Sequence, residues 1–173
     1  MTTALHRLAT WNDFDRVYEI YVDPAVIPYL GFEPMSRADF RPVYQNLLAS
    51  GVFHVVELEG TVDGFYKAVR QEGRSSHVVT LGPLAVAPER RGSGFAATML
   101  EEAISQLRAA GVLRFELMVE ADNPRGVAFY RKLGFQHEGT LRAAYKRASD
   151  SGYVDELFLA KLLPPINGTP ASG

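Results

Sequence analysis

The chain of 173 residues contains no cysteine. That excludes a disulfide framework, a thiol nucleophile and Cys-ligated zinc together, and it agrees with a reducing, cytoplasmic setting. Long apolar runs are missing too. No stretch approaches the roughly 20 residues that span a bilayer, and the opening Met1-Thr2-Thr3-Ala4 is not a basic segment leading into an apolar one, so a soluble, unexported chain with no membrane partner is expected. Neither sign of charge is in excess. With 18 Lys and Arg against 20 Asp and Glu, a net charge of −2 leaves no footprint for nucleic acid, although a local basic site for a small anion stays open. No metal site is expected, and no internal repeat interrupts the chain. The last stretch, Pro164 to Gly173, is rich in Pro, Gly, Ser and Thr and has little to bury, which predicts a disordered tail. Residues 1–163 then make one domain, long enough to bury about two thirds of its unfolded surface without crosslinks.

What is present reads as short strands alternating with amphipathic helices. Ala4 to Ala9 is a strand, and Thr10 or Asn12 caps a helix from Asp13 to about Tyr21 with Phe14, Val17, Tyr18 and Tyr21 on one face. Val22 to Met35 carries three prolines, Gly31, Tyr29 and Phe32. It is either a functional connection or a variable loop with packed aromatics. Ser36, with Asp39 three positions on, caps a second helix that ends at Ser50-Gly51, and Pro42 predicts a later start or a bend. Val52–Leu58 and Val62–Arg70 form a hairpin through Glu59-Gly60. His77 to Val86 is a strand interrupted at Gly82-Pro83, where Pro cannot donate to a ladder and Gly marks a bulge, so the backbone of Leu84, Ala85 and Val86 is freed. A helix from Gly94 to Ala109 has Phe95, Met99, Leu100, Ala103, Ile104 and Leu107 as its stripe, and a strand from Val112 to Val119 follows. Asn123 caps a short helix from Pro124 to Leu133 that Gly134 stops, and Phe135–Ala144 and Tyr153–Leu162 close the chain as two strands.

The chemistry concentrates where the third long strand runs out, at Pro88-Glu89-Arg90-Arg91-Gly92-Ser93-Gly94-Phe95-Ala96. A helix N-terminus has unpaired amides and a partial positive charge, and glycines before it let an anion reach the backbone. Arg90 and Arg91 add charge there. Two other readings compete: a glycine-rich turn with surface arginines, and a dinucleotide fingerprint Gly92-x-Gly94-x-x-Ala97 with Glu116 or Glu120 as its acid. Against the fingerprint, four polar residues separate the strand from the first glycine, and hairpins precede it where a βαβ unit would be required.

Order and motifs together resemble the GNAT superfamily of acyl-CoA-dependent N-acyltransferases over Leu5 to Leu163. Arg91-x-x-Gly94-x-Ala96 is similar to the family's pyrophosphate loop, and Asn123, Ala128-Phe129-Tyr130 and Leu133-Gly134-Phe135 are similar to the segment after its fifth strand. Glu138-Gly139-Thr140-Leu141-Arg142 and Gly152-Tyr153-Val154-Asp155-Glu156-Leu157 look like the family's bacterial small-substrate branches, including those that acetylate amino acids or protein N-termini. The resemblance implies an α+β fold: a mixed, mostly antiparallel sheet of about seven strands, splayed between the fourth and fifth, with about four helices. It implies transfer of the acetyl group of acetyl-CoA to a primary amine by direct attack in a ternary complex. It places pantetheine along Leu84, Ala85 and Val86, the diphosphate on Arg91, Gly92, Ser93, Gly94, Phe95 and Ala96, and the cofactor arm against Asn123, with Tyr130 facing the sulfur as acid. Tyr29, Phe32 and Tyr153, with Arg142 and Tyr145 nearby, would frame the acceptor, and Arg131 and Lys132 would reach the outer phosphate. A homodimer through the terminal strands is expected by the same analogy. A non-catalytic acyl-CoA sensor of the same fold stays open as an alternative.

The base is where the sequence departs from the family. Thr80 stands where many members carry a strand glutamate, which leaves His77, and behind it Glu116, Glu120 and His54. At pH 7 a lysine amine of pKa about 10.4 is neutral in roughly one molecule in 2500, an α-amine near 7.8 in about one in seven. The missing glutamate therefore tilts the expectation toward an α-amine or another acceptor of low pKa.

Overall fold

Glu59 and Gly60 both have positive φ, 53° and 81°, the geometry a two-residue hairpin requires, so β2 (Phe53–Leu58) and β3 (Thr61–Arg70) fold back on one another. In the computed structural model, which describes residues 4–165, five further strands extend this pair: β1 (Leu5–Leu8), β4 (Val78–Val86), β5 (Arg114–Glu120), β6 (Gln136–Tyr145) and β7 (Val154–Leu162). They form one sheet in the order β1-β2-β3-β4-β5-β7-β6, antiparallel throughout except for β4 against β5. Four helices flank it: α1 (Phe14–Tyr21), α2 (Arg37–Ala49), α3 (Phe95–Ala109) and α4 (Pro124–Lys132). Ser36 caps α2 by accepting from the Asp39 amide at 3.2 Å, and the helix starts at Arg37, so Pro42 neither delays nor ends it. Nearly all of the tail expected from Pro164 onward lies outside the described residues. Its first residue is tied down, since the Pro164 carbonyl accepts from Arg108 Nε at 2.6 Å.

Each face of the sheet buries its own core. Val79, Leu81, Phe115, Leu117 and Val119 pack with Met99, Leu100, Ala103 and Ile104 of α3 on one side. Phe53, Val55, Phe65 and Ala85 pack with Phe14, Val17, Ile20, Phe40 and Tyr44 of α1 and α2 on the other. Each such large side chain contributes about 1.5–3 kcal/mol by leaving water. Gly64 lets the layers close: a Cβ there would stand 2.9 Å from Met99 Sδ and 3.0 Å from the Ala85 carbonyl.

The expected bulge positions the site. β3 meets β4 through Tyr66 opposite Leu84 and Ala68 opposite Leu81, so Gly82 and Pro83 together oppose Lys67 alone. On its other edge β4 pairs with β5 only from Val78 to Thr80, against Arg114 to Glu116. β5 meanwhile keeps its pairing to β7 along its whole length, out to Glu120 opposite Glu156. The two parallel strands therefore part after three residue pairs, opening a cleft at their C-terminal ends. Consecutive hairpins before β4 overturn the dinucleotide-binding reading, which needs parallel strands on a βαβ unit there. Among the described residues no helix is long and apolar enough to cross a membrane, and no group of acidic or histidine side chains could hold a metal ion.

Candidate active site

At one side of the cleft the glycine turn leads from β4 into α3. Gly92 and Gly94 sit at φ 73° and 87°, a region costly for any residue with a Cβ, and a Cβ at either would point into open space. Gly94 is the left-handed N-cap of α3, and its carbonyl accepts from Ala97 and Thr98 at 3.0 and 3.2 Å. Ser93 Oγ donates to the Arg90 carbonyl at 2.6 Å and accepts from the Phe95 amide at 3.3 Å. The amides of Gly92, Gly94 and Ala96 have no acceptor among the described residues, a cluster of open donors at a helix start.

The two arginines serve this turn differently from the expectation that both present full charge to a ligand. Arg90 donates from Nε to the buried carboxylate of Asp63 at 2.8 Å and lies over the Phe95 ring, so it fastens the turn to β3. Arg91 reaches Asp23, in the connection after α1, at 2.8 Å. Both charges are compensated inside the chain, which leaves the backbone dipoles as the main attraction for an anion.

At the other side of the cleft stands Glu120, the last residue of β5, with 6% of its surface exposed. Burial pushes its carboxyl up to about 7, the carboxylates of Glu156 and Asp122 push the same way, and Arg147 pulls it back down. Tyr130, on α4, packs edge-on against Phe129 and Phe135, and burial followed by the Glu120 charge raises its phenol well above the ordinary range. At neutral pH it is therefore protonated. Asn123 does cap α4: its Oδ1 accepts from the Gly126 amide at 2.9 Å, and a Cβ at Gly126 would stand 2.7 Å from Asn123 Nδ2.

The other candidates for a base lie elsewhere. His77 is exposed just before β4, at the end remote from the cleft, with its carbonyl bonded to the amides of Leu113 and Arg114. His54 is on β2, stacked on Tyr66 with ring centroids 5.1 Å apart. Thr80, in the place of the strand glutamate, donates to Glu116 Oε1 at 3.3 Å, and Glu116 is held by Arg114 at 2.7 Å. Glu116 is thus an ion-paired carboxylate on the closed part of the β4–β5 pair.

The segments expected to frame an acceptor are tied to one another. Tyr145 Oη donates to the Pro28 carbonyl at 3.0 Å and accepts from the Gly31 amide at 3.2 Å. Arg147 Nε also donates to Pro28 O at 2.9 Å, and its outer nitrogens hold Asp122 bidentately at 2.9 and 3.0 Å and Asp150 at 3.1 Å. Tyr29 lies in this frame under the Arg147 guanidinium, and Phe32 beside it leans on Tyr21. Tyr153 stands apart, 70% exposed under Lys146. Sequence reading did not single out Arg147: nothing in Tyr145-Lys146-Arg147-Ala148 distinguishes it from a solvated cation.

The sequence pattern of the acetyltransferase (GNAT) family matches residues 12–135, most of the chain and all of the cleft up to Tyr130. The chain belongs to the GNAT acetyltransferase family. This GNAT protein is 28% identical, over 94% of its length and 99% of the relative's, to the L-amino acid N-acetyltransferase AaaT of Escherichia coli (strain K12). The crystal structure of ribosomal-protein-alanine N-acetyltransferase from Brucella melitensis superimposes with a TM-score of 0.71 at 29% identity, covering 92% of this chain and 99% of that one. Spermidine N-acetyltransferase from Vibrio cholerae, solved in complex with CoA and spermine, shares the fold with a TM-score of 0.77 at 21% identity, over 92% and 95% of the two chains. The GNAT chain is an acetyl-CoA-dependent N-acetyltransferase, and the reading as a silent acyl-CoA sensor is set aside.

Proposed function

We propose that this enzyme acetylates α-amines, with Glu120 as general base and Tyr130 as acid. The observation that carries the reading is the parting of β4 from β5, with the buried Glu120 at the end of β5 on one side and the open amides that follow β4 on the other. The residues fit the thioester donor. The amides of Gly92, Gly94 and Ala96 would take the diphosphate, with Arg91, Ser93 and Phe95 shaping the turn. The unpaired edge of Leu84 to Val86 would hydrogen-bond the extended, amide-bearing arm like an added strand, and Asn123 Nδ2 would meet it from the opposite wall. Acetyl-CoA supplies the activated acyl carbon and a thiolate leaving group of ordinary pKa, about 8.5.

Magnitudes select the acceptor. Moving a proton from an α-ammonium of pKa about 7.8 to a carboxylate near 7 is uphill by about 1 kcal/mol, whereas a lysine ammonium at about 10.4 asks for about 5 kcal/mol. Glu120 and Glu156 face each other across β5 and β7, so the mouth attracts a cation and discharges it locally. Free amino acids and protein N-termini, the acceptors in the names of the two relatives at 28–29% identity, both present such an amine. Tyr130, protonated throughout, donates toward the departing sulfur. Thiol-release rates on alanine amide and on a lysine side-chain amine, followed from pH 6 to 9, test this. A tenfold or larger preference for alanine amide at pH 7 is expected, and a preference for lysine overturns it.

A further inference from the structure

We propose that Arg147 is the clasp of the acceptor site, a positioning residue that locks the loop over Pro28 and Gly31 onto the turn after Glu120 and thereby sets affinity for the acceptor. The idea rests on the α-amine reading only for its acceptor probe. Arg147 joins three segments distant in sequence: the α1–α2 connection through Pro28, the β5–α4 turn through Asp122, and the β6–β7 turn through Asp150. Its guanidinium lies 5.2 Å from the Tyr29 ring centre and 5.1 Å from that of Tyr145, with 12% of the side chain exposed. Four hydrogen bonds from one planar fork between two rings are beyond the reach of a lysine. Asp122 stands two residues after Glu120 and just before Asn123, the cap of the helix that carries Tyr130. Holding Asp122 therefore holds the hinge between base and acid, while Pro28 brings the loop over them. Asp122 and Asp150 together outweigh the single positive charge, so Arg147 is spent on geometry and is not a receptor for a substrate carboxylate.

The charged and titratable groups acting on Glu120 are Glu156 from β7, Asp122 from its own turn, Tyr130 from α4, Tyr145 from β6 and Arg147. Arg147 is the cation of that set. Its removal shifts the acidic limb of kcat toward higher pH, whereas loss of a merely structural arginine would leave the limb in place.

The test uses the full chain with Arg147→Met and Arg147→Lys. Hydrogen exchange reads the clasp without any acceptor: the amides of Gly31 and Ala148, which donate to Tyr145 Oη and Glu33, are expected to exchange at least tenfold faster in both variants. Exchange along α3 stays at the wild-type rate and reports an intact fold. With alanine amide, KM for the acceptor rises about tenfold in both while KM for acetyl-CoA stays put, and only Arg147→Met moves the pH limb. Unchanged exchange at Gly31 overturns the clasp, as does an unchanged acceptor KM. Should wild-type enzyme ignore alanine amide, the α-amine reading falls and the exchange rates alone decide the clasp.

Discussion

The two sides of the cleft are made of different material. The proposed donor side is main chain: two glycines at positive φ, a helix start and the free edge of a bulged strand, contiguous in sequence from Leu84 to Ala96. The proposed acceptor side is side chain: Glu120, Tyr130, Tyr145 and Arg147, drawn together from two strands, a helix and a turn. Backbone dipoles bind any diphosphate in the same way, so that side is fixed by local geometry. Side chains confer selectivity and depend on everything that holds them.

The comparison breaks most visibly at the turn. Gly94→Glu places a Cβ at φ 87° and a carboxylate on the open amides. Acetyl-CoA affinity measured by calorimetry is expected to fall at least a hundredfold, about 3 kcal/mol, with the far-UV spectrum unchanged. Glu120→Gln acts on the other side: kcat/KM for alanine amide falls about a hundredfold, within the usual span for a lost general base, while acetyl-CoA binds as before.

The same variant separates function from stability. A carboxyl raised to about 7 from an unfolded value near 4.5 binds protons more tightly in the native state, so stability declines as pH climbs from about 4.5 through 7. Activity rises over the same interval as Glu120 ionises. Glu120→Gln therefore removes the acidic limb of kcat and raises the unfolding free energy at pH 8 by about 1–3 kcal/mol, measured by urea titration.

Smaller effects sharpen the contrast. Tyr130→Phe keeps the ring packing and loses the proton donor, and a drop in kcat of about tenfold, some 1.4 kcal/mol, is expected, with stability nearly unchanged. On β6, residues 142–144 bulge opposite Asp155, and Ala143 takes φ 54° with its amide on Asp155 Oδ1 at 2.8 Å. Ala143→Gly relieves that strain, and a thermal melt is expected to show a gain of about 1 kcal/mol with kinetics unaltered.

Legibility followed the same divide. The elements fell where apolar periodicity and turn residues placed them: Ser36 and Asn123 cap their helices, Glu59-Gly60 makes its hairpin, and Gly82-Pro83 disturbs β4 as a proline in a ladder must. Glu120 was visible only as one carboxylate among several, because its elevated pKa comes from burial beside Glu156, a residue 36 positions away. His77 is a histidine at a strand end, and the parallel pairing puts that end far from the cleft. Arg90 and Arg91 looked alike beside each other, yet one answers to Asp63 on β3 and the other to Asp23 after α1.

The amino-acid order alone determined the strand and helix succession and the glycine turn with its open amides, because each depends on neighbours within a few residues along the chain. Which carboxylate is buried and raised in pKa, and which acidic partner each arginine meets, were decided by the fold, since burial and charge pairing are set by whatever residues the sheet order brings alongside.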